Sequence, residues 1–526
     1  MKVLVSDPLA KEGLAILKAE SGIEVIEKTG MSEEELLAAI KGCEAIIVRS
    51  ETKVTRKVIE AADSLKVIGR AGVGLDNVDV VAASERGIVA MNTPGGNTVS
   101  AAEHTCALLL ALSRNVPQAH ASMKAGEWNR KKFKGVEVRG KTLGVVGLGR
   151  IGTDVAARMR GFGMEVVGYD PYVSAEMAER HGIKKVELDE LFAKSDYITL
   201  HVPVTDQTRG LINEAAIAKM KKSVRIINVA RGGIIDEAAL AKAVEAGKVA
   251  GAALDVYEKE PPTGSPVLAC DKIVLTPHLG ASTEEAQITV AVEMAGQVID
   301  ALKHEVYRNA VNAPMIEPER RERIAPYMAL GEKLGSMLAQ LFDGPIKTLS
   351  VEYIGEQLSE GTEPVTVAVV KGLLEPVLVE NVNYVNAPFL ARSRGITVSD
   401  AQSAEKSDFL NLLRVCAASD DESHAVEGTL FGRREPMIVG IDGFHVDAEP
   451  RGALLVCFQA DGPGIIGKLG TILGRAGVNI AAMTLGRSAK GGEALGVLNL
   501  DSPAPADALE KIAKVDEIEC VKQVIL

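Results

Sequence analysis

A glycine-rich stretch between a predicted strand and a predicted helix constrains the fold of this chain more than any other feature. The strand is the apolar run Leu143–Val146, and the helix begins near Thr153. The glycines between them, Gly147, Gly149 and Gly152, follow the G-x-G-x-x-G spacing. In that spacing the first glycine makes a tight turn, the second lets the backbone approach a pyrophosphate, and the third lets helix and strand pack closely. The pattern alone is also compatible with a purely structural turn.

An acidic residue after the next predicted strand favours a dinucleotide site over a structural turn. The strand Glu165–Tyr169 is followed by Asp170, eighteen residues past Gly152. A carboxylate at this place accepts hydrogen bonds from the adenine ribose and repels the 2′-phosphate of NADP. The next two residues, Pro171-Tyr172, include no arginine that would attract that phosphate. The sequence therefore predicts a Rossmann-type domain that binds NAD at a helix N-terminus.

Length and composition limit the remaining choices. A chain of 526 residues is too long for one core and predicts three to four domains. Its formal net charge of −12 argues against nucleic acid or a membrane as a main partner, and no apolar run approaches the ~20 residues of a membrane span. The first residues predict a strand and no signal peptide. The six well-separated cysteines favour reduced thiols, so we expect a cytoplasmic protein without a disulfide framework or metal site.

Predicted strands and helices alternate on both sides of the glycine-rich stretch. This alternation predicts an α/β protein with two doubly wound, Rossmann-like lobes and a cleft between them. We assign residues 1–97 together with 286–312 to a substrate-binding lobe, and residues 98–285 to the NAD-binding lobe. Capping boxes at Ser100-x-x-Glu103 and Ser282-x-x-Glu285 predict the starts of the two helices that join the lobes.

Two predicted strand ends of the first lobe carry an arginine beside a turn. Ligands of open α/β sheets lie beyond the carboxyl ends of the strands, and a glycine-rich turn there offers N–H groups to an anion. Arginines at strand ends are more often plain surface charges, but two of them in such positions favour an anion site. Its candidate residues are Arg49, Ser50, Arg70, Gly72, Val73 and Gly74.

Three motifs at predicted strand ends of the second lobe present Arg231, Glu260 and His278. A hydroxy-acid dehydrogenase requires these residue types. An imidazole can take the hydroxyl proton as hydride leaves C2, a carboxylate on its other nitrogen can fix the tautomer, and a guanidinium can hold the substrate carboxylate. Each also has a plainer interpretation: a capped helix start, a surface acid and a structural ion pair. Residue types alone leave both interpretations open.

Taken together, the motifs GLGRIG with Asp170, NVARGG, the glutamate before Pro-Pro, and TPHLGAST resemble the D-isomer-specific 2-hydroxyacid dehydrogenase family over roughly residues 1–310. In that family the arginine, glutamate and histidine of these motifs are catalytic, which implies those roles for Arg231, Glu260 and His278. The cofactor contacts expected on this interpretation are Gly147, Gly149, Arg150, Ile151, Gly152, Asp170, Val202, Ala230, Asp255, Gly280 and Ala281.

Two further motifs, RAGVGLDNVD and TPGGNTVSAAEH, are similar to the branch of this family that acts on phosphoglycerate. The resemblance implies oxidation of 3-phosphoglycerate to 3-phosphohydroxypyruvate, the entry step of serine biosynthesis. Arg49 and Arg70 would then hold the phosphate or the carboxylate. The basic loop around Trp128 would lie at a dimer interface, as expected for a lone tryptophan in a polar loop.

The C-terminal third predicts two more domains. Residues 313–450 predict an α+β intervening domain, which in the long form of this branch is thought to bind substrate or anions. Within it His445 and the pair Arg433-Arg434 could hold an anion, although surface roles are favoured. Residues 451–526 predict the order β-α-β-β-α-β of ferredoxin-like domains and resemble an ACT domain.

The ACT resemblance implies L-serine as a candidate effector, held by Asp461 and Asn479 at a subunit interface. The stretch Asp461-Gly-Pro-Gly464 departs from the common pattern, in which arginine or lysine precedes the proline, and this weakens the effector assignment more than the fold. The resemblance further implies a homo-oligomer, a dimer through the NAD lobe and a tetramer overall.

Two alternatives remain at this point. A dehydrogenase for another D-2-hydroxy acid, such as lactate, glycerate or 2-hydroxyglutarate, would keep the lobes but lose the phosphate-binding arginines. A nucleotide-sensing corepressor can keep the lobes and even the triad, but it would lack a C-terminal amino-acid sensor. The predicted C-terminal domain therefore argues against the corepressor.

Overall fold

The part of the chain that the structure describes contains four β-sheets: two parallel, one mixed and one antiparallel. The computed structural model describes residues 1–314, 318–355, 362–379, 381–403, 405, 407–432 and 434–526. Residues 315–317, at the predicted domain boundary, and Arg433, of the predicted anion pair, lie outside the described residues. The predicted fold class, two parallel α/β lobes followed by two mixed α and β domains, is confirmed. Within the described part no helix is long and apolar enough to cross a bilayer.

The first sheet has five parallel strands in the order β2-β1-β3-β4-β5. Its strands are short apolar runs because helices cover both faces. The neighbours β3 and β4 place Val48 opposite Arg70, so the ends that carry Arg49 and Arg70 adjoin. The elements are β1 (Lys2–Val5), α1 (Lys11–Ala19), β2 (Glu24–Glu27), α2 (Glu33–Ala39), β3 (Ala45–Val48), α3 (Arg56–Ala61), β4 (Val67–Arg70), α4 (Val80–Glu85) and β5 (Val89–Met91).

The second sheet has seven parallel strands in the order β12-β11-β10-β9-β6-β7-β8. The chain order reverses between β6 and β9, and ligands of doubly wound sheets bind at such a switch point. The elements are α5 (Thr98–Arg114), α6 (Val116–Lys124), β6 (Thr142–Val146), α7 (Arg150–Gly161), β7 (Glu165–Tyr169), α8 (Ala175–Arg180), β8 (Lys184–Lys185), α9 (Leu188–Lys194), β9 (Tyr197–Leu200), α10 (Glu214–Ala218), β10 (Arg225–Asn228), α11 (Glu237–Glu245), β11 (Gly251–Leu254) and β12 (Ile273–Leu275).

The helix α12 (Glu284–His304) leaves the second lobe and packs on the first. Gly13 of α1 lets the two helices approach closely, since a Cβ there would lie 2.6 Å from the carbonyl oxygen of Ala291. Met294 and Val298 of α12 lie in the core of the first lobe. After α12 the chain returns to the first sheet, where the N–H of Val311 donates to the carbonyl of Ala90 at 2.9 Å.

The predicted capping residues of the two joining helices are wrong, by three residues in the first helix and by one in the second. The helix α5 begins after Asn97, so Ser100 lies inside the helix and does not cap it. The N-cap of α12 is Thr283, whose hydroxyl accepts from the N–H of Ala286 at 3.2 Å. Ser100 instead pairs its hydroxyl with that of Thr283 at 2.7 Å, which ties the two helix starts together. Periodicity places a helix but does not choose between adjacent capping residues.

The third sheet is mixed, with the order β14-β13-β15-β16-β17-β18. Two long helices pack on it, and they approach each other so closely that a Cβ on Gly335 of one helix would overlap the carbonyl oxygen of Val369 of the other. The elements are α13 (Pro318–Leu341), β13 (Thr348–Ile354), α14 (Thr362–Leu374), α15 (Ala387–Ser393), β14 (Thr397–Ser403), β15 (Leu412–Ala418), β16 (Ser423–Phe431), β17 (Glu435–Ile441) and β18 (Phe444–Ala448).

The fourth sheet is antiparallel, with the order β20-β21-β19-β22. Together with its two helices it has the ferredoxin-like order that the sequence predicts. Gly477 ends the first helix with a φ of +74°, as expected for a glycine at C′. The elements are β19 (Ala453–Ala460), α16 (Ile465–Arg475), β20 (Ile480–Arg487), β21 (Glu493–Leu500), α17 (Ala506–Ala513) and β22 (Ile518–Ile525).

Candidate active site

The glycine turn after β6 forms an open cradle at the switch point. Gly147 has a φ of +94°, and a Cβ there would overlap the carbonyl oxygen of His201. A Cβ on Gly152 would overlap the carbonyl oxygen of Gly147, so helix α7 can approach the strand only with glycine at this position. A Cβ on Gly149 would meet no atom within 4 Å. The free N–H groups at the start of α7, from Arg150 onward, therefore border open space, which fits a pyrophosphate.

Asp170 follows β7 and is fixed beside this turn. One carboxylate oxygen accepts from the N–H of Leu148 at 2.9 Å, and the other from the N–H of Tyr172 at 2.8 Å. The carboxylate is half-buried, so one side remains available to a ligand. This negative charge beside the glycine turn fits the ribose of NAD and disfavours a 2′-phosphate.

The remaining predicted cofactor residues follow the carboxyl ends of four neighbouring strands. These strands are β9, β10, β11 and β12, which lie side by side in the sheet. Their common edge adjoins the glycine turn, since Gly147 touches the segment after β9. The residues at this edge are Val202, Ala230, Asp255, Gly280 and Ala281, and Ile151 lies in the first turn of α7.

His278 and Glu260 form a close pair. The Nδ1 atom of His278 lies 2.7 Å from a carboxylate oxygen of Glu260, whose other oxygen accepts from the N–H of Tyr257 at 3.2 Å. The carboxylate favours the tautomer with a proton on Nδ1, which makes Nε2 the basic nitrogen. The imidazole is 48% exposed, so it is accessible from the cleft. The arrangement can therefore accept a proton from a bound hydroxyl group.

His278 has a left-handed backbone, with a φ of +55°. This conformation costs about 1–2 kcal/mol for a residue with a side chain. Asp255 stabilises this conformation, because its main-chain carbonyl accepts from the N–H of His278 at 2.8 Å. The carboxylate of Asp255 is fully buried and accepts from the N–H groups of Leu279 and Gly280 at 2.7 and 2.8 Å. Asp255 therefore stabilises the loop that carries His278 through hydrogen bonds to its backbone.

The loop of Arg231 packs against the loop of Glu260. A Cβ on Gly232 would overlap the carbonyl oxygen of Tyr257, so the two loops touch at that glycine. The Nη1 atom of Arg231 donates to the carbonyl of Ala230 at 2.7 Å, which orients the guanidinium. The three motif residues of the second lobe thus follow three adjacent strands and share one edge of the cleft.

The guanidinium groups of Arg70 and Arg231 approach the same glycine turn, one from each lobe. A Cβ on Gly72 would overlap the Arg70 guanidinium, and a Cβ on Gly74 would overlap that of Arg231, so one glycine turn contacts both. Burial and the charge of Arg231 lower the pKa of Arg70 to about 10. Among the described residues the buried Nε of Arg70 has no hydrogen-bond partner. This incompletely compensated positive charge fits a dianionic ligand.

Sequence reasoning missed the residue that shapes the other half of the anion site. Asp7 is buried after β1, and its carboxylate accepts from the N–H groups of Arg49, Glu51 and Thr52 at 2.6, 3.2 and 3.1 Å. These bonds fold the turn that carries Arg49 and the exposed Ser50. On the facing turn, the side-chain amide of Asn92 donates to the carbonyl of Val73. The signal for Asp7 is topological, since β1 and β3 are neighbours only in the folded sheet.

The two predicted effector residues are not brought together in one chain. Asp461 follows β19 and accepts from the N–H of Gly491 at 2.9 Å. Asn479 precedes β20 and donates to Asp501 at 2.7 Å. They lie at opposite ends of the C-terminal sheet, separated by the length of an eight-residue strand, about 25 Å. A site that uses both residues requires a second chain.

The basic loop between α6 and β6 exposes its tryptophan. The side chain of Trp128 is 77% exposed in the single chain. Exposed aromatic residues of this size are enriched at protein interfaces. The dimer contact of Trp128 therefore stays a prediction.

Three family profiles match successive parts of the chain. The profile described as D-isomer specific 2-hydroxyacid dehydrogenase, NAD binding domain, matches residues 106–280. The D-3-phosphoglycerate dehydrogenase intervening domain matches residues 323–442, and the ACT domain matches residues 453–517. These matches confirm the predicted NAD cofactor and the predicted identity of both C-terminal domains.

Curated relatives match over the whole length. The chain is 46% identical over 522 residues to the D-3-phosphoglycerate dehydrogenase of Methanocaldococcus jannaschii, covering 99% of each chain. It is 47% identical to that of Archaeoglobus fulgidus, covering 98% of each, and 41% identical to that of Bacillus subtilis, covering 100% of this chain and 99% of the relative. The chain belongs to the D-3-phosphoglycerate dehydrogenase family. The corepressor alternative is thereby set aside.

Solved structures resemble the first two lobes. The E. coli D-lactate dehydrogenase apo-structure aligns with a TM-score of 0.53 at 30% identity, covering 59% of this chain and all of that one. The Staphylococcus aureus NAD-dependent formate dehydrogenase in complex with NAD aligns with a TM-score of 0.53 at 32% identity, covering 59% and 98%. The two-lobed part is thus shared with dehydrogenases of other substrates, whereas the three full-length relatives named above are D-3-phosphoglycerate dehydrogenases.

Proposed function

We propose that this chain catalyses the NAD-dependent oxidation of 3-phosphoglycerate to 3-phosphohydroxypyruvate, the first step of L-serine biosynthesis. The observation that carries the proposal is the His278–Glu260 pair, 2.7 Å apart, at a cleft edge where arginines from both lobes converge. The full-length similarity to D-3-phosphoglycerate dehydrogenases supports the choice of substrate.

In this proposal His278 is the general base. Its Nε2 takes the proton of the C2 hydroxyl, and Glu260 stabilises the imidazolium that forms and keeps the ring in its orientation. NAD, when bound in the glycine cradle, supplies the acceptor for the hydride that leaves C2. In the reverse direction His278 returns the proton to the C2 oxygen. The pair thereby serves both directions of the reaction.

The arginines bind the two anionic ends of the substrate. Arg231, fixed by its bond to Ala230, holds the carboxylate and polarises the oxygen at C2. Arg70, whose Nε has no hydrogen-bond partner among the described residues, and Arg49 on the neighbouring turn hold the phosphate. Gly72 and Gly74 let the two guanidinium groups approach this turn, because a Cβ on Gly72 would overlap Arg70 and a Cβ on Gly74 would overlap Arg231.

The test is a comparison of NADH formation with 3-phosphoglycerate and with D-glycerate, with the keto product trapped because the oxidation runs uphill. We expect turnover to depend on the phosphate and to fall by about a thousandfold in His278→Ala. His181→Ala, a change at an exposed histidine of the same lobe, serves as the control and should keep normal activity. Equal rates with D-glycerate would favour another D-2-hydroxy acid as substrate. No turnover with either would refute the proposal.

We further propose that L-serine is an effector bound between two chains, with Asp461 from one and Asn479 from the other. The match to the ACT domain and the separation of these residues in one chain support this arrangement. Serine should inhibit the wild type, and Asn479→Ala should remove inhibition without loss of basal activity. Asp516→Ala, an exposed change in the same domain, should leave inhibition intact. Inhibition that persists in Asn479→Ala would exclude this site.

We also propose a homodimer through the NAD lobe, and from it a tetramer. The 77% exposure of Trp128 in a basic loop supports an aromatic anchor at this contact. Sedimentation of Trp128→Glu should show dissociation relative to the wild type, whereas Tyr172→Glu, at a still more exposed aromatic residue of the same lobe, should not. An unchanged sedimentation coefficient in Trp128→Glu would contradict this interface.

A further inference from the structure

A second histidine lies next to the loop that carries His278. His104 stands on α5 with its side chain 20% exposed. Its Nε2 lies 3.2 Å from a carboxylate oxygen of Asp255 and 3.2 Å from the hydroxyl of Thr276. The Thr276 hydroxyl in turn donates to the same oxygen of Asp255 at 2.6 Å. His104 is therefore part of a hydrogen-bond network that reaches the loop through Asp255 and Thr276.

The carboxylate of Asp255 is fully buried, and a buried charge requires donors on all sides. Besides the two loop N–H groups, its side-chain partners among the described residues are His104 and Thr276. Burial acts to raise the pKa of Asp255, but the hydrogen bonds from His104, Thr276 and the loop outweigh it, so the net pKa is lowered. The carboxylate therefore remains an ion that accepts four hydrogen bonds.

These bonds hold a backbone conformation that His278 would not adopt by itself. The N–H groups of His278, Leu279 and Gly280 all donate to atoms of Asp255. If the Asp255 carboxylate turned away, the N–H groups of Leu279 and Gly280 would lose their acceptors, and the left-handed residue before them would relax. The imidazole of His278 would then move away from the carboxylate of Glu260. A second hydrogen bond, of 2.7 Å between the hydroxyls of Ser100 on α5 and Thr283 at the end of the loop, also connects α5 to this loop.

We propose that His104 is a positioning residue for the reaction: through Asp255 it holds His278 in its left-handed turn, so that the imidazole stays against Glu260. This inference rests on the proposed function for its kinetic consequence but not for its structural one. In the described part of the chain, the side-chain hydrogen-bond partners of His104 are Asp255 and Thr276. Its effect is therefore transmitted by Asp255 and Thr276.

The test compares two substitutions with different hydrogen-bonding capacity. His104→Phe occupies a similar volume but cannot donate, whereas His104→Gln retains a donor. We expect kcat to fall about tenfold in His104→Phe, with KM for 3-phosphoglycerate changed by less than about twofold, and about half of kcat to return in His104→Gln. His181→Phe makes the same change at an exposed histidine and should leave kcat and KM unchanged. Equal losses in the Phe and Gln variants, or none in either, would overturn the proposal.

Amide hydrogen exchange measured by mass spectrometry provides a readout that does not require turnover. Segment 276–283 should exchange faster in His104→Phe than in the wild type or in His181→Phe, because its N–H groups lose a fixed acceptor. If the wild type proves inactive on 3-phosphoglycerate, this result still tests the positioning role. Should His104→Phe fail to fold, Thr276→Val removes the linking hydroxyl and should show the same local exchange. Unchanged exchange in this segment would refute the inference.

Discussion

The Nε atom of Arg231 lies 3.3 Å from a carboxylate oxygen of Asp76, so an ion pair joins the two lobes across the cleft. Asp76 is 77% exposed and Arg231 30% exposed. The pair occupies the Nε edge of the guanidinium, while Nη1 is held by Ala230. An incoming carboxylate therefore competes with Asp76 for Arg231.

We predict that Asp76→Asn lowers KM for 3-phosphoglycerate by up to about fivefold at low salt, because an exposed ion pair of this kind is worth at most about 1 kcal/mol. The effect should shrink as ionic strength rises. Steady-state kinetics across a salt series measures it, with Asp206→Asn, an exposed acid of the second lobe, as the control. A higher KM in Asp76→Asn would mean that the pair mainly orients Arg231.

Neutralising Glu260 should slow the chemical step. In Glu260→Gln the imidazolium loses its carboxylate partner, and we expect kcat to fall by about a hundredfold while NADH affinity is retained. The neighbouring Glu258 is exposed in the same loop, so Glu258→Gln provides a matched control with normal kcat. Rapid-mixing kinetics and fluorescence titration of NADH separate the two effects. A normal kcat in Glu260→Gln would remove the pair from the mechanism.

Two glycines of the cradle should respond differently to the same added methyl group. In Gly152→Ala the new Cβ would overlap the carbonyl oxygen of Gly147, so we expect destabilisation of about 1–3 kcal/mol. In Gly149→Ala it would enter the open cradle, so stability should be kept and NADH affinity should fall at least about tenfold. Calorimetry and NADH titration of both variants check this. Equal loss of stability in the two would contradict the geometry.

Asp170 should set the preference between the two nicotinamide cofactors. Asp170→Ser removes the charge that repels a 2′-phosphate, and we expect kcat/KM with NADP to rise and that with NAD to fall, each by about tenfold. The ratio of the two kcat/KM values is the measurement, and Asp189→Ser, an exposed acid of the same lobe, is the control. An unchanged ratio would exclude this role for Asp170.

His424 in the intervening domain should make stability depend on pH. Asp442, whose carboxylate lies 2.7 Å from Nδ1, raises the pKa of His424 against the opposing effect of burial, and Glu422 adds to the rise. Because the folded pKa is raised, the stabilisation is complete below the ordinary value of about 6.5 and is lost as pH rises through the folded pKa. Wild-type Tm should therefore fall by a few degrees more between pH 6 and 9 than that of His424→Gln. The same pH dependence of Tm in the wild type and in His424→Gln would refute this role of His424.

The sheets and the site motifs can be predicted from the sequence for a physical reason. A strand buried on both faces must be a short apolar run, and the glycines of the cradle are dictated by contacts within one strand–turn–helix unit. The predicted strands Leu143–Val146 and Glu165–Tyr169 accordingly lie within one residue of the observed limits of β6 and β7. Local constraints of this kind can be read from consecutive residues.

Other features depend on contacts between distant parts of the chain. Asp7 acts on a turn more than forty residues away, and His104 reaches Asp255 across 151 positions. The capping residue of α12 was misplaced because Ser282 and Thr283 offer the same hydroxyl, and only the fold selects between them. These residues carry no periodic signal, so they emerge only once the sheet order is known.

The distance between Asp461 and Asn479 has a consequence for how any ligand shared by them would behave. If two copies pair about a twofold axis, each pair creates two equivalent pockets, and every pocket is built half from each chain. Ligand occupancy is then thermodynamically linked to association, so the ligand tightens the pair and dilution weakens the ligand. Inhibition through such pockets would depend on enzyme concentration as well as on effector concentration.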